Sequence, residues 1–106
     1  MDVDYGVKLM HPSGKPYMEG DTEVTLGQGV FILVNTVPQE LKLSLFDSCQ
    51  LSRIVSEAAQ GGNGVLKDKD VQLLRRLLEN SPRMTPLLRA ELARHILPEV
   101  YKEAQA

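Results

Sequence analysis

Three observations predict an α+β fold, mainly α, in which an N-terminal β-hairpin packs on a bundle of about four helices. Gly and Pro punctuate the chain from Gly6 to Gly20, where short alternating segments lie. From Ser44 onward, apolar residues recur at helical spacing behind capping residues. A length of 106 residues, 42% hydrophobic and 25% charged, suits a single core without disulfide staples. One domain is expected, with residues 1–24 as the hairpin segment and 25–106 as the helical part.

Gly6 to Met10 alternates apolar and polar residues, and His11-Pro12-Ser13-Gly14-Lys15-Pro16 is turn chemistry. The return strand is expected at Tyr17 to Glu19, ended by Gly20-Asp21, with Pro16 confining it to an edge. Residues 22–37 carry two signals. Their β-branched density argues strand, whereas Thr25 with Gln28 three residues later makes a capping box. Read as a helix, residues 26–36 are apolar on nearly every side and predict a central, buried element.

Ser44 with Asp47 forms a second capping pair, and Leu45 to Ala59 runs without a breaker to Gly61-Gly62. Leu51, Ile54, Val55 and Ala58 share one side of that helix. Leu45, Cys49, Ser52 and Ser56 form an adjacent stripe of small residues, open to close approach by another helix or to self-association into a homo-oligomer. Gly61-Gly62-Asn63-Gly64 lacks the preceding strand and following Lys-Ser/Thr of a phosphate loop and reads as a C-cap and flexible connection.

A third helix is expected from Asp68 to Asn80, with Val71, Leu74, Leu77 and Leu78 inward and Gln72, Arg75, Arg76 and Glu79 outward. Asp68 and Asp70 lack the remaining ligands of a calcium loop and read as acidic residues of a first helical turn. Ser81-Pro82 ends this helix, and Thr85-Pro86 begins the next as N-cap and first residue. Leu88, Leu92, Ala93 and Ile96 are its apolar stripe, with Arg89 intruding among them and Glu91, Arg94 and His95 opposite. Pro98 stops or kinks it, leaving residues 99–106 as a short extension.

Cys49 has no partner for an internal disulfide and reads as a small apolar filler in a reducing compartment. His11 and His95 have no ligand-spaced neighbours and read as surface residues, so neither a metal nor another cofactor is expected. The serines at 44, 48, 52 and 56 show no local nucleophile signature, so no catalytic residues and no enzyme are expected. The longest unbroken apolar run, Val30 to Val34, is far shorter than a bilayer span, and the acidic start lacks a secretory signal. A cytoplasmic protein with no membrane contact follows.

Residues 1–66 hold four Lys/Arg against eight Asp/Glu, and residues 67–106 hold eight against six, so the halves carry −4 and +2. The mildly basic half bears Arg75, Arg76, Arg83, Arg89 and Arg94. These are interleaved with Glu79 and Glu91 and unaccompanied by stacking aromatics, which disfavours nucleic acid as a partner. They remain the candidate protein-binding residues, Arg89 foremost because it stands on the apolar side of its helix.

Ser13-Gly14-Lys15-Pro16, Glu19-Gly20-Asp21, Val24-Thr25-Leu26-Gly27, Leu66 with Asp70, and Leu73-Leu74-Arg75-Arg76-Leu77 follow one another in an order that resembles a family of small proteins of tailed bacteriophages and prophages. In that family a turn-bearing hairpin precedes a Thr-Leu-Gly helix start, and a Pro-Leu-rich helix comes last. This chain departs from it with Val30, Phe31 and Ile32 after Gly27 and with Arg89 in the last helix. The resemblance covers most of the chain and implies a helix over residues 26–36. It also implies a host-cytoplasmic, non-enzymatic protein-interaction module, first of all a virion tail or head assembly accessory protein or chaperone. An inhibitor of a host defence or transcription protein is the alternative. A small nucleic-acid-binding regulator using Arg75, Arg76, Arg83 and Arg94 is a second alternative, with steeply salt-dependent binding as its signature.

Overall fold

The computed structural model describes all 106 residues. Four short strands and five helices follow one another: β1 (Asp2–Asp4), β2 (Met18–Glu19), β3 (Thr22–Glu23), α1 (Leu26–Asn35), α2 (Leu45–Gln60), β4 (Asn63–Val65), α3 (Asp68–Glu79), α4 (Pro86–Ile96) and α5 (Pro98–Gln105). The fold is α+β and mainly helical, with a hairpin packed on the helices. α1, α3 and α4 meet around Leu33, Leu74, Leu77, Leu92 and Ile96, all fully buried, and α2 covers α1 from the other side.

The hairpin forms, but one strand later than the alternation implies. β2 pairs antiparallel with β3 around Gly20-Asp21, with Gly20 at φ +61. The segment from Gly6 to Met10 contributes isolated bridges only, Lys8 to Thr25 and Met10 to Pro16. Leu9 is the reason. Its N–H donates to the Val24 carbonyl and its carbonyl accepts from Tyr17, each at 2.9 Å, while Val24 N–H donates to the Tyr17 carbonyl. Two return segments share the two edges of one residue, so no long ladder develops along either. The prolines at 12 and 16 lack the N–H groups that would lengthen it.

α1 begins at the expected capping box. Gln28 N–H donates to Thr25 Oγ1, and Thr25 N–H donates to the Gln28 side-chain oxygen. The N–H groups of Leu26 and Gly27, which a helix start leaves without internal partners, donate to the carbonyls of Val7 and Tyr5. The N-terminal segment is thereby fastened to the end of α1. Gly27 makes this fit possible, because a Cβ there would lie 2.6 Å from the Ala58 carbonyl oxygen. Burial of α1 is one-sided rather than complete: Leu26, Val30 and Leu33 are inside, and Phe31 is exposed.

α2 carries the second capping box, Ser44 with Asp47, and ends at Gly61 with φ +71. Leu51, Ile54 and Ala58 are buried as expected. The stripe Leu45, Cys49, Ser52 and Ser56 faces solvent, so Cys49 is an exposed thiol and not a core filler. The close helix contact lies at Gly27 and Ala58 instead.

The segment read as a flexible connection continues into a strand. β4 pairs antiparallel with β1, Val3 standing opposite Gly64. The ring of Tyr5, 1% exposed, lies over Gly64, where an added Cβ would meet Tyr5 Cε2 at 2.5 Å. This two-stranded sheet leads into buried Leu66 and sets Met1 beside α3 and Tyr5 beside the end of α2.

α3 and α4 start and stop where their caps predict, with Thr85 Oγ1 accepting from Leu88 N–H and Pro86 in the first turn. Leu97, at φ −124 and ψ +59, separates α4 from α5, so Pro98 stops α4 and the short extension after it is a fifth helix. No residue of α5 is buried.

Candidate interaction surface

The five arginines do not form one patch. Arg75 pairs with Glu79 one turn along α3, at 2.9 Å. Arg76 reaches across to the loop before α2, donating to the Lys42 carbonyl at 2.7 Å and approaching Asp47 at 3.4 Å. Arg89, half-buried, donates from Nε to the Leu78 carbonyl at 2.9 Å, where α3 exposes acceptors without helical partners. Arg94 grips Glu91 through Nε and Nη2. Arg83, exposed in the turn between α3 and α4, makes no such contact. Arg75 and Arg89 share a groove with Leu78, Pro86, Ala93 and Val100. Arg94 lies on the hairpin side, beside Met10, His11 and Tyr101.

Two carboxylates are buried, one that the sequence reads as a first-turn acid and one that it puts on a polar helix face. Asp70 is fully enclosed and accepts from Gln50 Nε2 at 2.7 Å, Arg53 Nη2 at 2.5 Å and the Lys67 N–H at 2.9 Å. Burial pushes its carboxyl up, but these donors together outweigh that effect and hold it below the usual carboxylate range. Arg53 also approaches Glu57 at 3.6 Å. The Tyr5 hydroxyl is buried without a partner; burial raises its pKa, and Glu57 adds to the rise.

Glu91, 6% exposed, is the second. It accepts from the Met10 N–H at 2.7 Å and from both Arg94 nitrogens, and His95 Nε2 lies 3.4 Å away. Burial again raises its carboxyl and is overcome by Arg94 and the Met10 amide, which leave it below the ordinary value. The Tyr17 ring, 5.6 Å edge-on from His11, has its phenol raised first by burial and then by Glu91. Both histidines are thus drawn to the junction of hairpin and α4, and His95 is half-buried rather than a free surface residue. These contacts tie elements together: Asp70 joins α2 to α3, and Glu91 joins the hairpin to α4.

Leu45 and Phe46 are the most exposed of the large apolar side chains. Leu45 is 82% exposed and Phe46 64%, side by side in the first turn of α2. The Ser44–Asp47 capping box fixes that turn, and the Lys69 ammonium stands 5.5 Å from the Phe46 ring centre. Periodicity places Leu45 in the stripe with Cys49, Ser52 and Ser56 and gives Phe46 no role.

No group of three or more His, Cys, Asp or Glu side chains comes together that would hold a metal ion, and no helix is long and apolar enough to cross a membrane. Compared with protein-family models, with curated proteins and with solved structures, the chain finds no match.

Proposed function

We propose that this chain is a non-catalytic protein-interaction module whose partner docks on the first turn of α2. The observation that carries the reading is the exposure of Leu45 and Phe46 on a turn held rigid by its capping box. Burying two such side chains is worth about 1.5–3 kcal/mol each, and the fixed turn limits the ordering cost of doing so. Both buried carboxylates are saturated by internal donors and act as ties between elements. Of the five arginines, Arg83 is the one whose charge a partner meets without breaking an internal contact.

The resemblance of the hairpin and Leu-rich segments to small proteins of tailed phages supports a phage structural protein as the partner, in the role of an assembly accessory protein or chaperone. The test is co-purification of tagged protein from cells in which a tailed phage is assembling, with wild type beside a Leu45→Ser/Phe46→Ser variant. Recovery of a head or tail protein by wild type and its loss from the equally stable variant supports the reading. A stoichiometric host protein in its place makes the chain an inhibitor. Equal recovery by both proteins refutes the docking surface.

A further inference from the structure

The step from Asn63 to Gly64 joins the most reactive kind of asparagine to a position where packing requires glycine. Gly64 has no Cβ because the Tyr5 ring occupies that space, at 2.5 Å. A glycine after asparagine leaves the following amide nitrogen unshielded, free to approach the asparagine side-chain carbonyl. Asn63 itself is exposed, and the two residues before it, Gly61 and Gly62, both adopt positive φ. The other asparagines are placed differently: Asn35 precedes a threonine and donates to the Phe31 carbonyl, and Asn80 precedes a serine and donates to the Arg76 carbonyl.

We propose that Asn63 is a site of spontaneous deamidation, gated by opening of the β1–β4 sheet. The Gly64 nitrogen attacks Asn63 Cγ, losing its proton as the new C–N bond forms, and ammonia leaves with the side-chain nitrogen. The resulting cyclic imide is opened by water, giving aspartate when the new ring nitrogen departs from the side-chain carbonyl and isoaspartate when the backbone carbonyl is cleaved. In the closed sheet the attacking nitrogen is occupied. Leu66 N–H donates to Met1 and Tyr5 N–H to Gly62, so alternation makes Val3 and Gly64 the bonded pair between them. Three residue pairs in a two-stranded sheet make a weak clamp, and the opened state is accessible by local fluctuation.

The product opposes reclosure. Asn63 stands opposite Asp4, so conversion sets two carboxylates face to face across the pair, and the isoaspartate form also lengthens the backbone by one methylene and breaks the register. A slow, irreversible chemical event thereby loosens β1, uncovering Val3 and the Tyr5 ring.

The experiment incubates the folded full chain at physiological temperature and mildly alkaline pH, with a denaturant-unfolded sample alongside. Peptide mass spectrometry follows amide-to-acid conversion at each asparagine, and enzymatic isoaspartate methylation identifies the rearranged product. Conversion at Asn63, with Asn35 and Asn80 intact, is expected in the folded protein. Val3→Ala removes two buried carbon groups from the clamp and is expected to speed it roughly tenfold. Asn63→Gln, checked for folding by circular dichroism, should abolish the signal. An intact Asn63 over the time in which the unfolded sample converts overturns the proposal, as does a rate that Val3→Ala leaves unchanged.

Discussion

Replacing Asp70 with alanine tests the interior tie between α2 and α3. Three donors lose their acceptor: the Gln50 amide, the Arg53 guanidinium and the Lys67 N–H, which is also part of the N-terminal cap of α3. Loss of a helix cap costs about 1 kcal/mol. Hydrogen bonds to a buried charge contribute about 1.5–3 kcal/mol each, but the Arg53 side chain is 40% exposed and recovers much of its partner from water. A total of about 3 kcal/mol follows, which for a domain of this size lowers Tm by on the order of 15 °C. The pH profile carries a second readout. The folded carboxyl lies below its unfolded value, so its stabilisation is present at neutral pH and disappears as pH falls below about 4, through the folded pKa. Thermal melts followed by circular dichroism from neutral to acidic pH measure both. The variant should show the lower Tm at neutral pH and a flatter acid limb. A Tm within a few degrees of wild type, with an unchanged acid limb, would refute the account of Asp70 as an ionised tie.

Gly27→Ala should destabilise by about 1–3 kcal/mol because the added methyl meets the Ala58 backbone carbonyl; Gly29→Ala meets only the side-chain ends of Leu92 and Leu9 and should cost less in the same denaturant titration. Arg89→Glu should lower stability by about 1–2 kcal/mol through the lost bond to the Leu78 carbonyl, and equal stability would show that bond to be idle. Tyr5→Phe should leave stability unchanged or raise it by up to about 1 kcal/mol, since the hydroxyl it removes is buried without a partner; a clear loss would reveal a bond to that oxygen. Glu91→Gln should speed amide exchange at Met10 about tenfold, because a neutral acceptor replaces the carboxylate that holds it.

The helices were legible because their ends are written locally: Thr25 with Gln28, Ser44 with Asp47, and Thr85-Pro86 each fix a start within four residues. The hairpin was legible as a motif but not in register, since the competing demands of Tyr17 and Val24 on Leu9 do not show in an alternating pattern. β4 carried no local signal at all. Asn63-Gly64-Val65, following two glycines, becomes a strand only because β1 arrives from about 60 positions earlier. Polarity misled at Glu91, and at Asp70 the first-turn position was legible but not the burial, because both depend on donors from other elements. At the start of α2, Leu45 was legible as part of a stripe open to another surface, whereas nothing local marked Phe46 as exposed.

The pairing of β1 with β4 also orders events in time. Val3 cannot find Gly64 until the intervening chain has been made, and closing a loop of that length costs roughly 3.6 kcal/mol in chain entropy beyond the constant term. The Met10 amide waits longer still, for a carboxylate 81 residues on. During synthesis, α1 and α2 emerge and meet while β1 has no partner strand. The residues of β1 are therefore among the last of these to settle, and an emerging chain leaves Val3 and Tyr5 uncovered throughout that interval.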